Sequence, residues 1–124
     1  PHYYDPSLNA VWFSSFHLTD DELAKLVALI REFRPEFVHT YPSIATIVCQ
    51  YLQRQNVRDL PPIKAVLASS ENYYPGQREL ISRTLGARFF SWYGHAEHLI
   101  LAGECEYTTD YHAFPSYGVL ELMS

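Results

Sequence analysis

A three-layer α/β unit, with a mostly parallel sheet flanked by helices, is the fold class that this sequence predicts, with residues 1–124 forming one domain. Three observations predict it. Helical and strand patterns alternate from residue 19 to residue 92, with short connections. Two compact apolar runs, IKAVLA at residues 63–68 and ARFFSW at residues 87–92, read as buried strands. Threonine, proline and glycine stand where helices would start and stop.

In chain order, residues 1–16 (PHYYDPSLNAVWFSSF) are aromatic and irregular, with strand character over residues 11–16. The chain opens on proline, so the sequence is expected to begin at an excised, processed or trimmed point. Thr19 is a natural N-cap, and Glu22 three residues later completes a capping box. Asp20, Asp21 and Glu22 suit the positive end of the helix dipole. Leu23, Leu26, Val27, Ile30 and Phe33 follow at helical spacing, and Pro35 ends the helix. Residues 36–41 (EFVHTY) form a short strand. Pro42 opens the next helix, which carries Ile44, Ile47, Val48, Tyr51 and Leu52. Pro61 and Pro62 mark a loop before the strand at 63–68. A third helix spans residues 75–85, with Gly86 as its stop. The strand at 87–92 ends at Tyr93 and Gly94, and residues 117–123 read as a further strand.

Composition narrows the function. Apolar residues make up 48%, enough for a core without disulfides or metal. The formal charge of −5 is spread along the chain, and no basic stripe is present. Nucleic acid and an anionic membrane surface are therefore not expected as partners. No apolar run approaches a membrane span, and no stretch has the pattern of a signal peptide. Cys49 lies in an apolar run and Cys105 in a polar, histidine-flanked one, so they make no disulfide framework. A reducing, cytoplasmic compartment is the expectation.

In a parallel sheet, ligands bind outside the carboxyl ends of the strands. That rule singles out three loops, at residues 40–43, 69–74 and 93–97. Ser69, Ser70 and Glu71 offer small side chains, hydroxyls and backbone amides to a purine or ribose; they also suit a helix-capping serine followed by a first-turn acid. Tyr93, Gly94, His95, Ala96 and Glu97 offer a ring for stacking, a glycine for a tight turn and a carboxylate for Mg2+. They equally suit a turn tyrosine beside an exposed acid. Tyr41, Pro42 and Ser43 end a strand, and Ser43 suits a helix cap. His39 is expected in the core. Phe89, Phe90 and Trp92 are core candidates on alternating faces. Arg78, Glu79 and Arg83 are expected on a solvated face, with Glu104 and Glu106 as solvated neighbours.

Three segments in order carry a resemblance: FHLTDDELAKLVALIREFRPEFVHTYPS, IKAVLASSENYYPGQRELI and FFSWYGHAEHLILAGEC. Together they resemble the adenylate-forming superfamily of acyl-CoA synthetases, luciferases and peptide-synthetase adenylation domains. The likeness is best to the branch of phenylacetate-CoA ligases and CapK-type capsule-biosynthesis proteins. The resemblance implies a Rossmann-like subdomain within a larger adenylation domain. It implies that Ser69, Ser70 and Glu71 line an adenine pocket, with Tyr93 packing on the base and Gly94, His95 and Ala96 beside the nucleotide. Glu97 is implied as the catalytic acid that ligates Mg2+. The implied reaction joins a small carboxylic acid to ATP as an acyl-adenylate, after which coenzyme A displaces AMP.

The sequence departs from the family pattern at Ala96, where a threonine or serine hydroxyl usually contacts the α-phosphate. Losing a hydrogen bond to a charged group costs about 1.5–3 kcal/mol. A Gly/Ser/Thr-rich phosphate loop ending in lysine, a ribose-binding aspartate motif and a catalytic-lysine domain are also missing from the chain. The resemblance thus implies the middle of a large N-terminal domain, inactive alone and partnered by the rest of that domain. Apolar area exposed by such a cut would favour self-association, as in a homodimer. Two further readings stand beside this one. A non-catalytic nucleotide- or acyl-binding module would explain Ala96. A zinc-stabilised domain would use His98, Cys105 and His112, with His95 nearby, at a spacing that matches no standard zinc signature.

Overall fold

The computed structural model describes residues 2–119, 121 and 123. The chain begins with a hairpin of β1 (His2–Asp5) and β2 (Ala10–Phe13), paired antiparallel. Then come α1 (Asp20–Phe33), β3 (Phe37–Thr40), α2 (Pro42–Arg54), β4 (Ala65–Ala68), α3 (Gln77–Leu85), β5 (Arg88–Gly94), β6 (Leu101–Gly103) and β7 (His112–Ala113). The last five strands form one sheet in the order β3-β4-β5-β6-β7.

The predicted helix–strand alternation is present through β5. β3, β4 and β5 run parallel, because a helix crosses over between each pair. Beyond β5 the sheet turns antiparallel, so it is mixed. β6 and β7 are too short to leave a periodicity signal in the sequence. The last strand expected from the sequence is over residues 117–123 instead. Leu120 and Leu122 of that span lie outside the described residues; Tyr117 closes a turn, and the other described positions there are not in a strand. At the start of the chain, expected to be irregular with strand character over residues 11–16, the hairpin supplies two strands, and β2 overlaps that stretch.

The helix boundaries follow local chemistry. Thr19 caps α1, its Oγ1 accepting from the Glu22 amide at 3.3 Å. The Thr19 amide donates to the His17 carbonyl at 2.9 Å rather than completing a reciprocal box. Arg34 closes α1 in the left-handed region, since the residue before Pro35 is kept out of the helical one. Pro42 begins α2, where its missing N–H costs nothing. Gly86 ends α3 at φ +63, and its amide donates to Ser82 O.

The core lies between the sheet and helices α2 and α3. Val66, Ala68 and Phe89 project from one sheet face onto Ala45, Cys49 and Ile81. A second cluster joins α1 to α2 through Leu23, Val27, Val48, Tyr51 and Leu52. Each fully buried aliphatic side chain contributes about 1.5–3 kcal/mol.

Strand register puts Phe37, Ala65 and Arg88 in one row of the opposite face, and His39, Leu67 and Phe90 in the next. Trp92 lies two residues farther along β5. Phe37, Leu67 and Trp92 remain 54%, 38% and 40% exposed. The three aromatics of residues 89–92 thus divide: Phe89 is core, and Trp92 is not.

Arg78 and Glu104 correct the expectation of a solvated face. The Glu104 side chain is 1% exposed and ion-paired to Arg78. Its other oxygen accepts from the Ser91 amide at 3.0 Å. Arg78 also donates to Phe89 O at 2.9 Å and to the Tyr73 hydroxyl at 3.0 Å. Burial opposes the Arg78 charge, but the Tyr73 and Glu104 hydrogen bonds outweigh it and raise its pKa.

Candidate site at the strand ends

The carboxyl ends of β3, β4 and β5 lie side by side in the sheet. Two of the three loops singled out by the sequence are tied together there. Ser69 follows β4, is 7% exposed and places Oγ 3.1 Å from His39 Nε2 on β3. Ser70 Oγ is 3.4 Å from Ser69 Oγ. Ser70 has φ 66, a left-handed conformation that costs a non-glycine residue roughly 1–2 kcal/mol. Glu71 Oε2 accepts from the Ser43 amide at 3.2 Å, so a carboxylate from the second loop meets the N-terminus of α2.

These bonds separate the readings of residues 69–71. They do not cap the following helix, because α3 starts later, at Gln77, behind Gly76. Ser43 is not a cap either: Tyr41 holds that position without a side-chain hydrogen bond. A strand-end loop facing a ligand, or simply linking α2 to β4, is what remains.

His39 departs from its expected core position. It is exposed on the sheet face opposite α2 and α3, with its ring 5.9 Å from that of Trp92. Strand parity alone allows either face. Val38, packed on the core cluster, fixes the face and turns His39 to the other side.

Tyr93 and Gly94 are the last residues of β5, in register with Ala102 and Leu101. Gly94 is therefore in a strand rather than a tight turn. A Cβ there would lie 3.2 Å from Leu101 Cδ1, so the Leu101 side chain would have to give by a few tenths of an ångström. The Tyr93 ring is 55% exposed, open to stacking. Ala96 and Glu97 form a turn. Glu97 Oε2 is 2.9 Å from His95 Nδ1. A backbone hydrogen bond at Glu97, then the His95 contact, hold this exposed carboxyl below the usual glutamate range. Among the described residues, no hydrogen bond or ion pair joins Glu97 to Ser69, Ser70 or Glu71.

The zinc set is not assembled. His98 Nδ1 is 2.6 Å from the Tyr117 hydroxyl. Cys105 Sγ accepts from the Tyr107 amide at 3.4 Å, and His112 lies in β7. Among the described residues, no group of three or more His, Cys, Asp or Glu stands close enough to hold a metal ion.

A cavity of about 880 Å3 lies between the hairpin, α1 and the edge strand β3. Trp12, Phe13, Ile30, Phe37, His39 and Leu67 are among its lining residues. No helix is long and apolar enough to cross a membrane among the described residues.

No model of a known protein family matches the chain, and no curated protein matches it in sequence. Solved structures do match. One is 2-hydroxyisobutyryl-CoA ligase in an open conformation with 2-HIB-AMP and CoA: TM-score 0.52, 22% identity, covering 65% of this chain and 20% of that one. Another is the same ligase in the postadenylation state with R3-HIB-AMP: TM-score 0.53, 22% identity, covering 65% of this chain and 18% of that one. The chain thus spans about a fifth of the ligase, and what it shares with that segment is the α/β fold.

Proposed function

We propose that this chain is the nucleotide- and acyl-facing middle of an ATP-dependent carboxylate-activating ligase of the phenylacetate-CoA ligase and CapK-like branch. The observation that carries the reading is the joined strand-end cluster, with His39 bonded to Ser69 and Ser43 to Glu71 on a parallel sheet. It occurs in a fold shared with part of a CoA ligase solved with an acyl-adenylate and CoA.

In this reading Ser69, Ser70 and Glu71 border the adenine, and the exposed Tyr93 ring stacks on it. His95 holds the ionised Glu97 in place, and Glu97 would be the residue that holds Mg2+, which would neutralise phosphate charge. The substrate carboxylate oxygen forms a bond to the α-phosphorus of ATP, and the bond to pyrophosphate breaks. The coenzyme A thiolate then adds to the acyl carbon, and AMP leaves. The chain's part is positioning and electrostatic stabilisation. The remainder of the domain supplies the phosphate loop and catalytic lysine. ATP and coenzyme A suit a cytoplasmic enzyme, capsule biosynthesis is one setting for the branch, and a homodimer is the proposed assembly.

Ala96 favours a second reading, a non-catalytic nucleotide- or acyl-binding module, since it offers the α-phosphate no hydroxyl. Carboxylate-dependent exchange of labelled pyrophosphate into ATP by the full-length protein decides between them. The ligase reading expects exchange that falls with Glu97→Gln and rises with Ala96→Thr. Absence of exchange across a broad panel of acids, in folded protein, leaves the binding module.

A further inference from the structure

We propose that the groove bounded by β2, β3 and α1 receives an extended segment of the full-length protein, which pairs with the open edge of β3 as an added strand of the sheet. The inference rests on the ligase reading only for the length of the parent chain, while the pairing itself stands on the geometry.

β3 is the end strand of its sheet and has a neighbour on one side only. The Ser69 amide donates to Thr40 O, which puts the main-chain groups of Val38 and Thr40 on the β4 side. By strand alternation those of Phe37 and His39 point to the other edge. Among the described residues, no strand pairs with that edge. β2 pairs only with β1, so it too has one open edge. Every residue of β2 and of β3 lines the same cavity. The two strands read AVWF and FVHT, without the lysine or proline that shields an edge left in water.

The dimensions suit one strand. A rise of about 3.3 Å, a strand spacing of about 4.8 Å and a layer about 10 Å deep give about 160 Å3 per residue, so a cavity of about 880 Å3 takes about five residues. Leu26, Leu29 and Phe33 form a half-buried stripe on α1 that lines the cavity. Side chains at alternate positions of the added strand cover that stripe, so the segment is apolar at every second residue. Arg34 lines the cavity where β3 begins and has no ion pair among the described residues. An acidic residue at that end of the segment complements it.

The occupant is a segment of the same polypeptide. The chain spans about a fifth of the ligase whose fold it shares, so in the ligase reading most of the parent lies outside these residues. A tethered strand is held at a high effective concentration, which a separate molecule lacks.

Amide hydrogen exchange in the full-length protein, read residue by residue, tests the pairing. Phe37 and His39 are expected to exchange within about tenfold of Val38 and Thr40. Exchange of Phe37 and His39 as open amides, with Val38 and Thr40 protected, overturns the proposal. A photoreactive benzoylphenylalanine in place of Phe37 identifies the occupant, and the same group in place of Trp12 repeats the test from the opposite wall. The expected product from either position is a cross-link within one polypeptide to a residue outside the 124. Cross-links between two copies, to another protein or only within the 124 residues, and no cross-link from either position, each overturn it. Pyrophosphate exchange separates this proposal from the ligase reading. Protected edge amides in a protein without pyrophosphate exchange keep the added strand and sink the ligase, and pyrophosphate exchange with open edge amides does the reverse.

Discussion

Arg78 on α3 and Glu104 just past β6 form an ion pair that ties the parallel half of the sheet to the antiparallel half. The carboxylate is 1% exposed, and Tyr73, Phe89 and Ser91 supply the surrounding contacts. Removing one partner strands a buried charge. Arg78→Met is expected to cost about 3–5 kcal/mol in urea unfolding, and Arg78→Met with Glu104→Met much less than the sum of the single changes. Additive losses would show that the pair is not coupled.

Cys49 and Cys105 should differ sharply in reactivity. Burial pushes the Cys49 thiol up to about 12, with a hydrogen bond to Thr84 opposing in part, whereas Cys105 is half-buried. Iodoacetamide at neutral pH should label one thiol in the native chain and the second only in denaturant. The unfolded chain releases the Cys49 proton first, near the ordinary thiol value of about 8.5, so it binds fewer protons than the folded chain above that pH. The Cys49 contribution to stability is therefore lost as pH rises from there toward about 12. Cys49→Ala should flatten that part of the pH–stability curve.

Helix ends provide a second stability test. Thr19→Ala removes the side-chain acceptor at the start of α1 and should cost about 1 kcal/mol. Gly86→Ala should cost about the same for a different reason. A Cβ at Gly86 meets nothing within 4 Å, so the cost is the left-handed backbone alone. Thermal unfolding of the two variants and their combination should give additive shifts, since the sites share no partner.

Glu97 titrates low, so its ionised form is the one the fold favours. The stabilisation is present above the ordinary glutamate pKa and is lost as pH falls through the lower folded value. His95→Gln removes the second of the two principal causes, and should move the Glu97 carboxyl part of the way back toward its ordinary range. Carboxyl-carbon NMR across an acid titration reads this directly. An unchanged midpoint would assign the whole shift to the backbone hydrogen bond.

Of the site, the sequence showed the strand-end positions but not their connections. Ser69, Ser70, Glu71 and Tyr93 stand at the carboxyl ends of β4 and β5, as the alternation of patterns implied. The bonds from His39 to Ser69 and from Ser43 to Glu71 cross 30 and 28 residues of chain. No local spacing encodes them. Nearness in sequence is likewise no measure of nearness in space for His98, Cys105 and His112: among the described residues, no group of three or more possible metal ligands stands together.

What the sequence determined by itself was local: α1 from Thr19 and the spacing of Leu23, Val27 and Ile30, the start of α2 from Pro42, the end of α3 from Gly86, and the three parallel strands between them. Each follows from backbone preference and periodicity within a few residues. The tertiary structure decided which face each strand side chain takes, and so exposed His39 while burying Val66 and Phe89. It also buried Glu104 beside Arg78 and turned β6 and β7 antiparallel. Those outcomes depend on what packs across the sheet, and a charge is placed inside only where a distant partner compensates its lost hydration.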